Sequence, residues 1–368
     1  MRVLWVFDAL SPQLLALASE IDQQPDIELR IMTCHPLPVE LAHLAAPMVQ
    51  CRTKIEIRAR LLIRDYLKKN SFDVAHAYTS RNMANLAGAC WGLRNAPKLV
   101  GYRGTIDRLS RLDPANWLTF WHPRFDRINC VCQATHAALA ASGVPPEKLE
   151  TVWEGCNPNL LVVRPREILA EFGIPHSAFV IGTVANARRV KGIDLLLQSA
   201  IELVDKLDVY WLVVGAIVDP QVAELARDPR IAKRVKLIGT QWSGGGYCSL
   251  FDIYVAPSRK EGLSMGIMEA MSQASCPIVT NVGGNSELVR HKIDGLVIPP
   301  NNPTALSQAI VELWQDRLQR VRYAESAKRR ATEVFSIQSW GTRTCDGYRR
   351  LVARQDGLQP PHQSKWAA

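Results

Sequence analysis

The feature that most constrains the fold is a regular alternation of short apolar runs and amphipathic segments. In the first half, five runs have strand composition, namely RVLWVF, ELRIMTC, DVAHAY, KLVGYRG and NCVCQ. Segments of helical composition separate them, notably PQLLALASEI, residues 54–69, ANLAGACWGL and THAALAAS. Because buried parallel strands are continuous apolar runs joined by helical crossovers, this half predicts a parallel α/β sheet.

A second alternating series follows a connection marked by Gly155, Pro158 and Pro165. Its strands are FVIGTVA, VYWLVVGA, RVKLIG, DIYVAPS, CPIVTN and GLVIPP, with helices IDLLLQSAIELV, MEAMSQA and TALSQAIVELWQD among them. A chain of 368 residues exceeds one ordinary domain. We therefore predict two doubly wound domains, residues 1–160 and 161–337, with a helix at 338–356 that packs back on the first domain.

Composition narrows the class of protein. The chain is 47% hydrophobic and 21% charged, and none of its apolar runs approaches the roughly 20 residues of a membrane span. The N-terminal MRVLWVF has strand character rather than the features of a signal peptide. Nine cysteines without a CxxC pair are typical of a reducing compartment, so we expect a cytoplasmic protein, with Cys130 and Cys132 on one buried strand.

Charge and ligand spacing limit the partners. A net charge of +9 favours polyanionic partners in general. The chain has neither the aromatic RNA-binding runs nor a zinc-finger frame, so we expect no nucleic acid. Its eight histidines show no HxxxH or HExxH spacing and its aspartates form no DxD pair, so the sequence does not predict a metal site.

The stretch EGLSMGIME follows the apolar run DIYVAPS and places Glu261 and Glu269 at the two ends of a small-residue turn. Open α/β sheets bind ligands at the carboxyl ends of their strands, and helix N-termini present free amides to anions. Carboxylates also accept hydrogen bonds from sugar hydroxyls. Two interpretations remain open on these residues alone: a ligand-binding loop, or an ordinary strand–helix turn with one solvent-facing and one first-turn glutamate.

The segment APSRKEGLSMGIMEAMSQASCPIVTNVGGNSELVRHKIDGLVIPPNNPTAL resembles the signature region of family 4-type retaining glycosyltransferases, the glycosyl transferases group 1. That region has a PS-x-x-E-G start, a second glutamate before A-M, then P-x-V, G-G-x-x-E and a D/N-G-L-x-V-P-P strand. The resemblance covers residues 145–335 closely and the first half in outline. It implies the GT-B fold, two Rossmann-like doubly wound domains facing across a cleft, with acceptor on the first and donor on the second.

The resemblance also implies roles for the residues of the turn. Glu261 would hold hydroxyls of the donor sugar, and Glu269 would bond the ribose of the nucleotide. Backbone amides between them would contact the sugar or the diphosphate, at Gly262, Leu263, Ser264 and Met265.

A basic loop in IGTVANARRVKGIDLLLQSA matches another part of the family pattern, where an arginine and a lysine bind the donor diphosphate as leaving group. Lys191 aligns with the lysine, but Asn186 stands at the usual arginine position. We expect Arg188, in preference to Arg189, to supply the guanidinium. Two fixed cations replace a metal at a departing diphosphate, so no metal and no other cofactor is expected.

The first domain departs from the family. Its opening loop, FDALSPQL, lacks the usual glycine pair, and Arg103 stands where many members have a histidine. Arg103 is interpreted either as a group that binds an acceptor anion or assists the leaving group, or as a surface arginine. His76 and Glu287 match family positions and are interpreted as structural.

Two basic regions of the first domain are ambiguous. Residues 51–69 hold seven Lys/Arg against two acids at helical spacing, which fits a solvated outer helix face or a helix lying on anionic lipid. Residues 102–127 hold five arginines interleaved with tryptophan and phenylalanine. That region is a candidate anchor for the phosphate or lipid-linked part of an acceptor.

These observations predict a retaining hexosyltransferase that uses a UDP-, GDP- or ADP-sugar and a glycan, lipid-linked or lipopolysaccharide-type acceptor, with an anionic membrane as a further partner to consider. Two rivals remain. One is a GT-B epimerase or phosphorylase, against which the intact two-glutamate signature argues. The other is a nucleotide-sugar-binding protein without transferase activity, which Asn186 and the altered first domain favour.

Overall fold

The computed structural model describes residues 1–8 and 11–353, and the chain divides into two compact units. The first unit comprises Met1–Trp153 and the segment that begins at Ile337, and the second comprises Glu154–Ser336. Residues 354–356 of the predicted C-terminal helix, and the tail that follows, lie outside the described residues. No helix in the described ranges is long and apolar enough to cross a membrane.

The first unit contains a six-stranded parallel sheet. Its strands are β1 Arg2–Val6, β2 Glu28–Met32, β3 Val74–Ala77, β4 Lys98–Arg103, β5 Phe125–Cys130 and β6 Leu149–Thr151. They lie in the order β2-β1-β3-β4-β5-β6. Both faces of the sheet are covered: Trp5 packs into the core on one face, and Leu4 and Val6 pack into the core on the other. This is the alternation expected of a strand buried on both sides.

The second unit contains another six-stranded parallel sheet. Its strands are β7 Phe179–Val184, β8 Val209–Val214, β9 Val235–Leu237, β10 Ile253–Ala256, β11 Cys276–Thr280 and β12 Leu296–Ile298. They lie in the order β12-β11-β10-β7-β8-β9. Two consecutive connections therefore run outward from β7 on one side, and the chain then returns to start β10 on the other side. The α/β, doubly wound class predicted from the sequence is confirmed.

Helices cover both sheets. Those in the described residues are α1 Pro12–Asp22, α2 Ile57–Lys69, α3 Ser80–Ala89, α4 Pro114–Trp117, α5 Gln133–Ala141, α6 Ile193–Leu203, α7 Pro220–Leu225, α8 Met265–Ser272, α9 Asn285–Leu288, α10 Pro303–Gln315, α11 Arg317–Glu333 and α12 Ile337–Ala353. The last helix belongs to the first unit, where its Tyr348 and Leu351 enter the core beside β1.

Three local expectations differ from the structure. Helix α3 begins before the predicted ANLAGACWGL segment because the Thr79 side chain caps it by accepting from the Asn82 amide. Cys132 does not lie on β5: the strand ends at Cys130, and the Cys132 sulfur caps α5 by accepting from the Thr135 amide. Helix α11 was not predicted, because its arginine- and alanine-rich sequence has little apolar periodicity.

Candidate active site

The candidate site lies at the carboxyl ends of β7 and β10 in the second unit. These strands are neighbours although β8 and β9 separate them in sequence, and such a switch of winding direction opens a crevice beside the strand ends. A cavity of about 270 Å³ occupies that place. Its lining residues are Thr183, Val184, Ala185, Lys191, Tyr254, Ala256, Pro257, Ser258, Glu261, Leu263, Ser264, Met265 and Gly266.

An ion pair between Lys191 and Glu261 forms the charged part of this lining. The Lys191 Nζ lies 2.9 Å from both carboxylate oxygens of Glu261, and only 21% of the lysine and 11% of the glutamate side chain is exposed. A lysine ammonium has three donors, and this pair uses two of them. The remaining N–H is available to a ligand oxygen, and the paired carboxylate is held at the same cavity wall.

Two glycines allow the loops around this pair to approach the backbone of their neighbours. Gly192, with φ of 67°, lies where a Cβ would be 2.0 Å from the Pro257 carbonyl oxygen. Gly283, with φ of 54°, lies where a Cβ would be 1.9 Å from the Glu261 carbonyl oxygen. No other residue type fits either position without moving a loop that carries a charged member of the site.

Arg259 joins the Lys191 loop to the Glu261 loop. Its guanidinium donates to both carboxylate oxygens of Asp194 at 2.7 and 2.6 Å, and to the Arg189 carbonyl oxygen at 2.9 Å. Asp194 is almost fully buried at the start of α6, and the hydrogen bond with it raises the pKa of Arg259. The position of Lys191 therefore depends on a side chain that precedes Glu261 by two residues. Sequence reasoning missed this contact, because only the structure places residues 194 and 259 together.

The N-terminus of α8 also lines the cavity. Ser264 is buried, and its side chain makes no capping hydrogen bond. The first-turn amides of an uncapped helix remain available to an anion or a hydroxyl oxygen. Gly266 stands in this turn, and a Cβ there would lie 2.6 Å from the Tyr254 hydroxyl oxygen.

Tyr254 is a member of the site that the sequence did not single out, because a tyrosine inside an apolar strand has the appearance of core. Its ring is buried in β10, the residue is among those that line the cavity, and its hydroxyl lies within hydrogen-bonding reach of Thr183. Burial, together with the carboxylates of Glu269 and Glu261, raises the pKa of Tyr254 well above its ordinary value. The phenol therefore stays protonated and acts as a hydrogen-bonding group.

Glu269 lies one turn into α8 and is not part of the cavity wall. Its carboxylate faces the backbone of Gly245, where a Cβ would lie 2.6 Å from one carboxylate oxygen. No hydrogen bond to this carboxylate is found within the described residues, and burial raises the pKa of Glu269 to about 7. A partly buried carboxylate without a protein partner is a group that a ligand hydroxyl can satisfy.

The basic loop places its arginines away from the cavity wall. The Asn186 side chain, at the position expected for an arginine, accepts a hydrogen bond from the Ala216 amide at 3.0 Å. Arg189 donates to Gln221 at 3.3 Å, whereas Arg188 is exposed and has no side-chain partner among the residues that the structure describes. Neither arginine lines the cavity. Of the two, Arg188 has the side chain that remains available to a ligand.

Arg103 lies in the first unit at the end of β4. Its guanidinium donates to the carbonyl oxygens of Thr105 and Asp107 at 2.9 and 2.8 Å and stacks over the Phe120 ring at 5.0 Å. Burial lowers the pKa of Arg103. These contacts fix the loop that follows β4, so Arg103 has a local structural role within the first unit. In the described ranges, no cluster of three or more histidine, cysteine or acidic residues has the geometry of a metal site.

Family comparisons match both units. Residues 16–160 match the model described as Glycosyltransferase Family 4, and residues 178–316 match the model described as Glycosyl transferases group 1. The second match includes Lys191, Glu261 and Glu269. The chain belongs to the group 1, family 4 glycosyltransferases.

Curated relatives of this family 4 chain match over part of their length. N-acetyl-alpha-D-glucosaminyl L-malate synthase of Bacillus anthracis is 24% identical over 195 residues, 52% of this chain and 51% of the relative. D-inositol 3-phosphate glycosyltransferase 1 of Catenulispora acidiphila is 29% identical over 198 residues, 50% and 47% of the two chains. A lipopolysaccharide core mannosyltransferase of Rhizobium leguminosarum is 25% identical over 177 residues, 46% and 50% of the two chains. The chain thus spans about half the length of the curated relatives it matches.

Solved structures match almost the whole chain. Anabaena Alr3699/HepE, solved in complex with UDP, superposes with a TM-score of 0.78 at 17% identity over 95% of this chain and 100% of that chain. This likeness establishes the fold, and the predicted GT-B architecture is confirmed.

Proposed function

We propose that the protein is a retaining glycosyltransferase that moves a hexose from a nucleotide sugar to a glycan or lipid-linked acceptor. The observation that carries the proposal is the Lys191–Glu261 pair, which lines a cavity beside the uncapped N-terminus of α8. Positive charge for a diphosphate and a carboxylate for sugar hydroxyls thus stand together. Family membership supports the same reaction class.

The donor would divide its groups among three parts of the second unit. The hexose suits the cavity, whose volume of about 270 Å³ is near the lower end of the roughly 300–1,000 Å³ typical of small-ligand sites. There Glu261 accepts hydrogen bonds from its hydroxyls. The diphosphate lies toward Lys191 and the first-turn amides of α8, with Arg188 as a second cation. Glu269 accepts hydrogen bonds from the ribose, with the Gly245 backbone leaving space beside it.

The chemistry follows from this division. The bond from the anomeric carbon to the diphosphate breaks, and the diphosphate departs with the electron pair, which Lys191 and the helix amides stabilise. The acceptor hydroxyl oxygen forms the new bond on the same face of the sugar, and its proton passes to the departing phosphate. Glu261 orients the sugar throughout and acts neither as nucleophile nor as base, in contrast to the carboxylates of glycosidases.

Comparison with named proteins suggests the first substrates to test. The Anabaena neighbour was solved with UDP and, in another structure, with UDP-glucose, so UDP-sugars come before GDP- and ADP-sugars. Matched relatives named for O-antigen and lipopolysaccharide core synthesis support an acceptor of the surface-polysaccharide class. For such an acceptor we place the protein in the cytoplasm, in peripheral contact with an anionic membrane.

The test combines donor binding with turnover. A thermal-shift screen of UDP-, GDP- and ADP-sugars identifies the nucleotide, because a ligand stabilises the folded state in proportion to its occupancy. Hydrolysis or transfer of that donor is then measured for Lys191→Ala and Glu261→Ala, each expected to lose roughly 100-fold or more of turnover. Lys206→Ala is the matched control, because Lys206 also faces a glutamate, Glu202 at 3.8 Å, but on the surface of the same unit.

A second candidate, a nucleotide-sugar-binding protein without transferase activity, is favoured by one observation: the loop that binds the leaving group has Asn186 at the arginine position, and neither neighbouring arginine lines the cavity. The same experiment separates the two. Tight donor binding with no turnover in any acceptor or water reaction would support the binding protein, and the absence of binding to every nucleotide sugar would refute both.

A further inference from the structure

Large apolar side chains are exposed together on one part of the first unit. They are Ile55, Ile57, Leu61, Trp91, Leu112 and Trp117, each between 51% and 93% exposed. We call these six residues the apolar patch. Isolated exposed apolar residues are ordinary, whereas a contiguous group signals a surface that contacts something apolar.

Hydrogen bonds bring the separate segments of the apolar patch together. Lys54, just before α2, donates to the Ala115 carbonyl oxygen at 2.8 Å, which brings the start of α2 beside the segment that carries Leu112 and Trp117. Arg64, on α2, donates to the Trp91 carbonyl oxygen at 2.5 Å. The start of one basic region of the sequence, residues 51–69, thus lies beside residue 115 of the other, residues 102–127.

Helix α2 shows how this surface is built. Ala59, Ile63 and Leu67 are buried against the sheet, so the opposite side of the helix faces solvent. Ile57 and Leu61 stand one turn apart on that solvent side, and Lys68 continues their stripe two turns later. The first turns of α2 therefore expose isoleucine and leucine to solvent, at positions where a surface helix ordinarily has polar residues.

Cations surround the apolar side chains. Exposed members are Arg52, Arg58, Lys68, Lys69, Arg94, Arg108 and Arg111. The nearby exposed acids are fewer, namely Asp65, Asp107 and Asp113. Asp65 pairs with Lys69 at 2.8 Å, and Asp113 accepts from the Ala115 amide at 2.9 Å. The surface thus combines tryptophan and aliphatic side chains with an excess of positive charge.

We propose that this surface binds an anionic lipid membrane, with the apolar patch inserted among the headgroups. Tryptophan rings prefer the membrane–water interface, aliphatic side chains enter the acyl boundary, and lysine and arginine bind anionic headgroups while their stems cover apolar surface. The inference rests on the proposed function in one respect: a lipid-linked acceptor would lie in a membrane, so the enzyme would have to bind that membrane to reach it. It names the residues of contact, which the proposed function does not.

Vesicle flotation with the full chain tests it. The probes are vesicles of phosphatidylcholine alone and of phosphatidylcholine with phosphatidylglycerol. The wild type is expected to bind only the anionic vesicles, and raising NaCl from about 0.1 M to about 1 M should release it. Leu61→Ser and Trp91→Ser should each weaken the partition by about tenfold, because each removes an inserted apolar group.

Matched controls lie in the second unit. Leu318 is 84% exposed beside Arg317 on α11, and Trp242 is 76% exposed, so Leu318→Ser and Trp242→Ser remove side chains of the same types that are more exposed than Leu61 and Trp91. They should leave flotation unchanged. Nucleotide binding, measured by thermal shift in parallel, should be the same in all four variants, which separates failure of this inference from failure of the proposed function.

Three results would overturn the inference. The first is absence of wild-type binding to anionic vesicles. The second is equal binding to neutral and anionic vesicles, which would remove the role of the cations. The third is self-association in sedimentation velocity that Leu61→Ser abolishes without any flotation of the wild type, which would assign the surface to a second copy of the chain.

Discussion

At the scale of single residues, the two glutamates of EGLSMGIME occupy opposite electrostatic environments. Glu261 is paired with Lys191 at 2.9 Å, whereas Glu269 has no hydrogen bond to its carboxylate within the described residues. Burial raises the pKa of Glu269 to about 7. The protein itself therefore neutralises the charge of Glu261, whereas the carboxylate of Glu269 remains available to a ligand.

This difference predicts that Glu269→Gln stabilises the protein only at high pH. An acid whose folded pKa is raised contributes stability that is complete below its unfolded pKa, about 4.3 for glutamate, and lost as the pH rises through about 7. The glutamine variant lacks that loss, so it should be roughly 2–3 kcal/mol more stable near pH 8.5 and no more stable near pH 4.5. Thermal unfolding at both pH values, with Glu224→Gln as an exposed control, measures the effect; an equal gain at both would contradict it.

The proposed ribose contact predicts a matching dependence of nucleotide affinity on pH. A carboxylate accepts hydrogen bonds from two hydroxyls only when ionised, so nucleotide binding should release a proton from Glu269 near neutral pH. Affinity should then rise by about fivefold from pH 6 to pH 7, by about tenfold from pH 6 to pH 8, and level off above pH 8. Calorimetry in two buffers of different ionisation enthalpy counts the proton. Glu269→Gln should bind weakly with no proton release, and unchanged release in that variant would assign the proton elsewhere.

At the scale of elements, the site is formed by two strand–loop–helix segments together, and neither segment forms it alone. The loop after β7 carries Lys191 and the loop after β10 carries Glu261. Arg259 links them by bonding Asp194 and the Arg189 carbonyl oxygen. The distance between the charged groups of the site is therefore set by a pair that never lines the cavity.

This arrangement predicts that Asp194→Asn reduces turnover more than its effect on stability explains. Loss of a charged partner frees Arg259 and with it the Lys191 loop, so turnover of the bound donor should fall by roughly 10- to 100-fold. The effects of Asp194→Asn and Arg259→Ala should not add, because both break the same contact. Steady-state kinetics of the single and double variants measure this.

The control for that prediction is Asp294→Asn. Asp294 is also fully buried and also bonded by an arginine, Arg290, at 2.7 and 2.9 Å, in a different part of the second unit. Its substitution should lower stability by about 1–3 kcal/mol, because hydrogen bonds to a buried side chain are lost, and leave turnover of the folded fraction unchanged. Equal losses of turnover in Asp194→Asn and Asp294→Asn would show that only stability is at work.

At the scale of the whole molecule, the sequence predicted what depends on local pattern. Apolar runs such as VYWLVV and IYVA identify buried strands by themselves, and the turn after β10 could be assigned to a strand end for the same reason. Strand order could not be predicted, because it depends on which runs pair across long distances. The same limit hid the Arg259–Asp194 contact and the approach of the two basic regions to each other. Each of these joins residues that are far apart in the chain.

Another long-range contact joins the two ends of the first unit. The hydroxyl of Tyr348, on α12, accepts from the Trp5 indole N–H at 3.0 Å and lies 2.6 Å from Nδ1 of His76. All three side chains are buried, and burial with the charge of Arg127 lowers the pKa of His76 well below its ordinary value. His76 therefore stays neutral and serves as a hydrogen-bonding partner that fixes α12 against β1 and β3.

Tyr348→Phe should consequently destabilise the first unit without affecting nucleotide binding by the second. Removal of the hydroxyl leaves two buried polar groups without a partner, at a cost of about 1–3 kcal/mol in the free energy of unfolding. The Tm should fall by roughly 2–4 °C for each kcal/mol. Tyr323→Phe, in α11 of the second unit, removes a hydroxyl from an equally buried ring without breaking a hydrogen bond found among the described residues, and should change Tm little. Nucleotide affinity that fell in parallel with Tm in Tyr348→Phe would contradict the division, since it would mean that the two units do not respond separately.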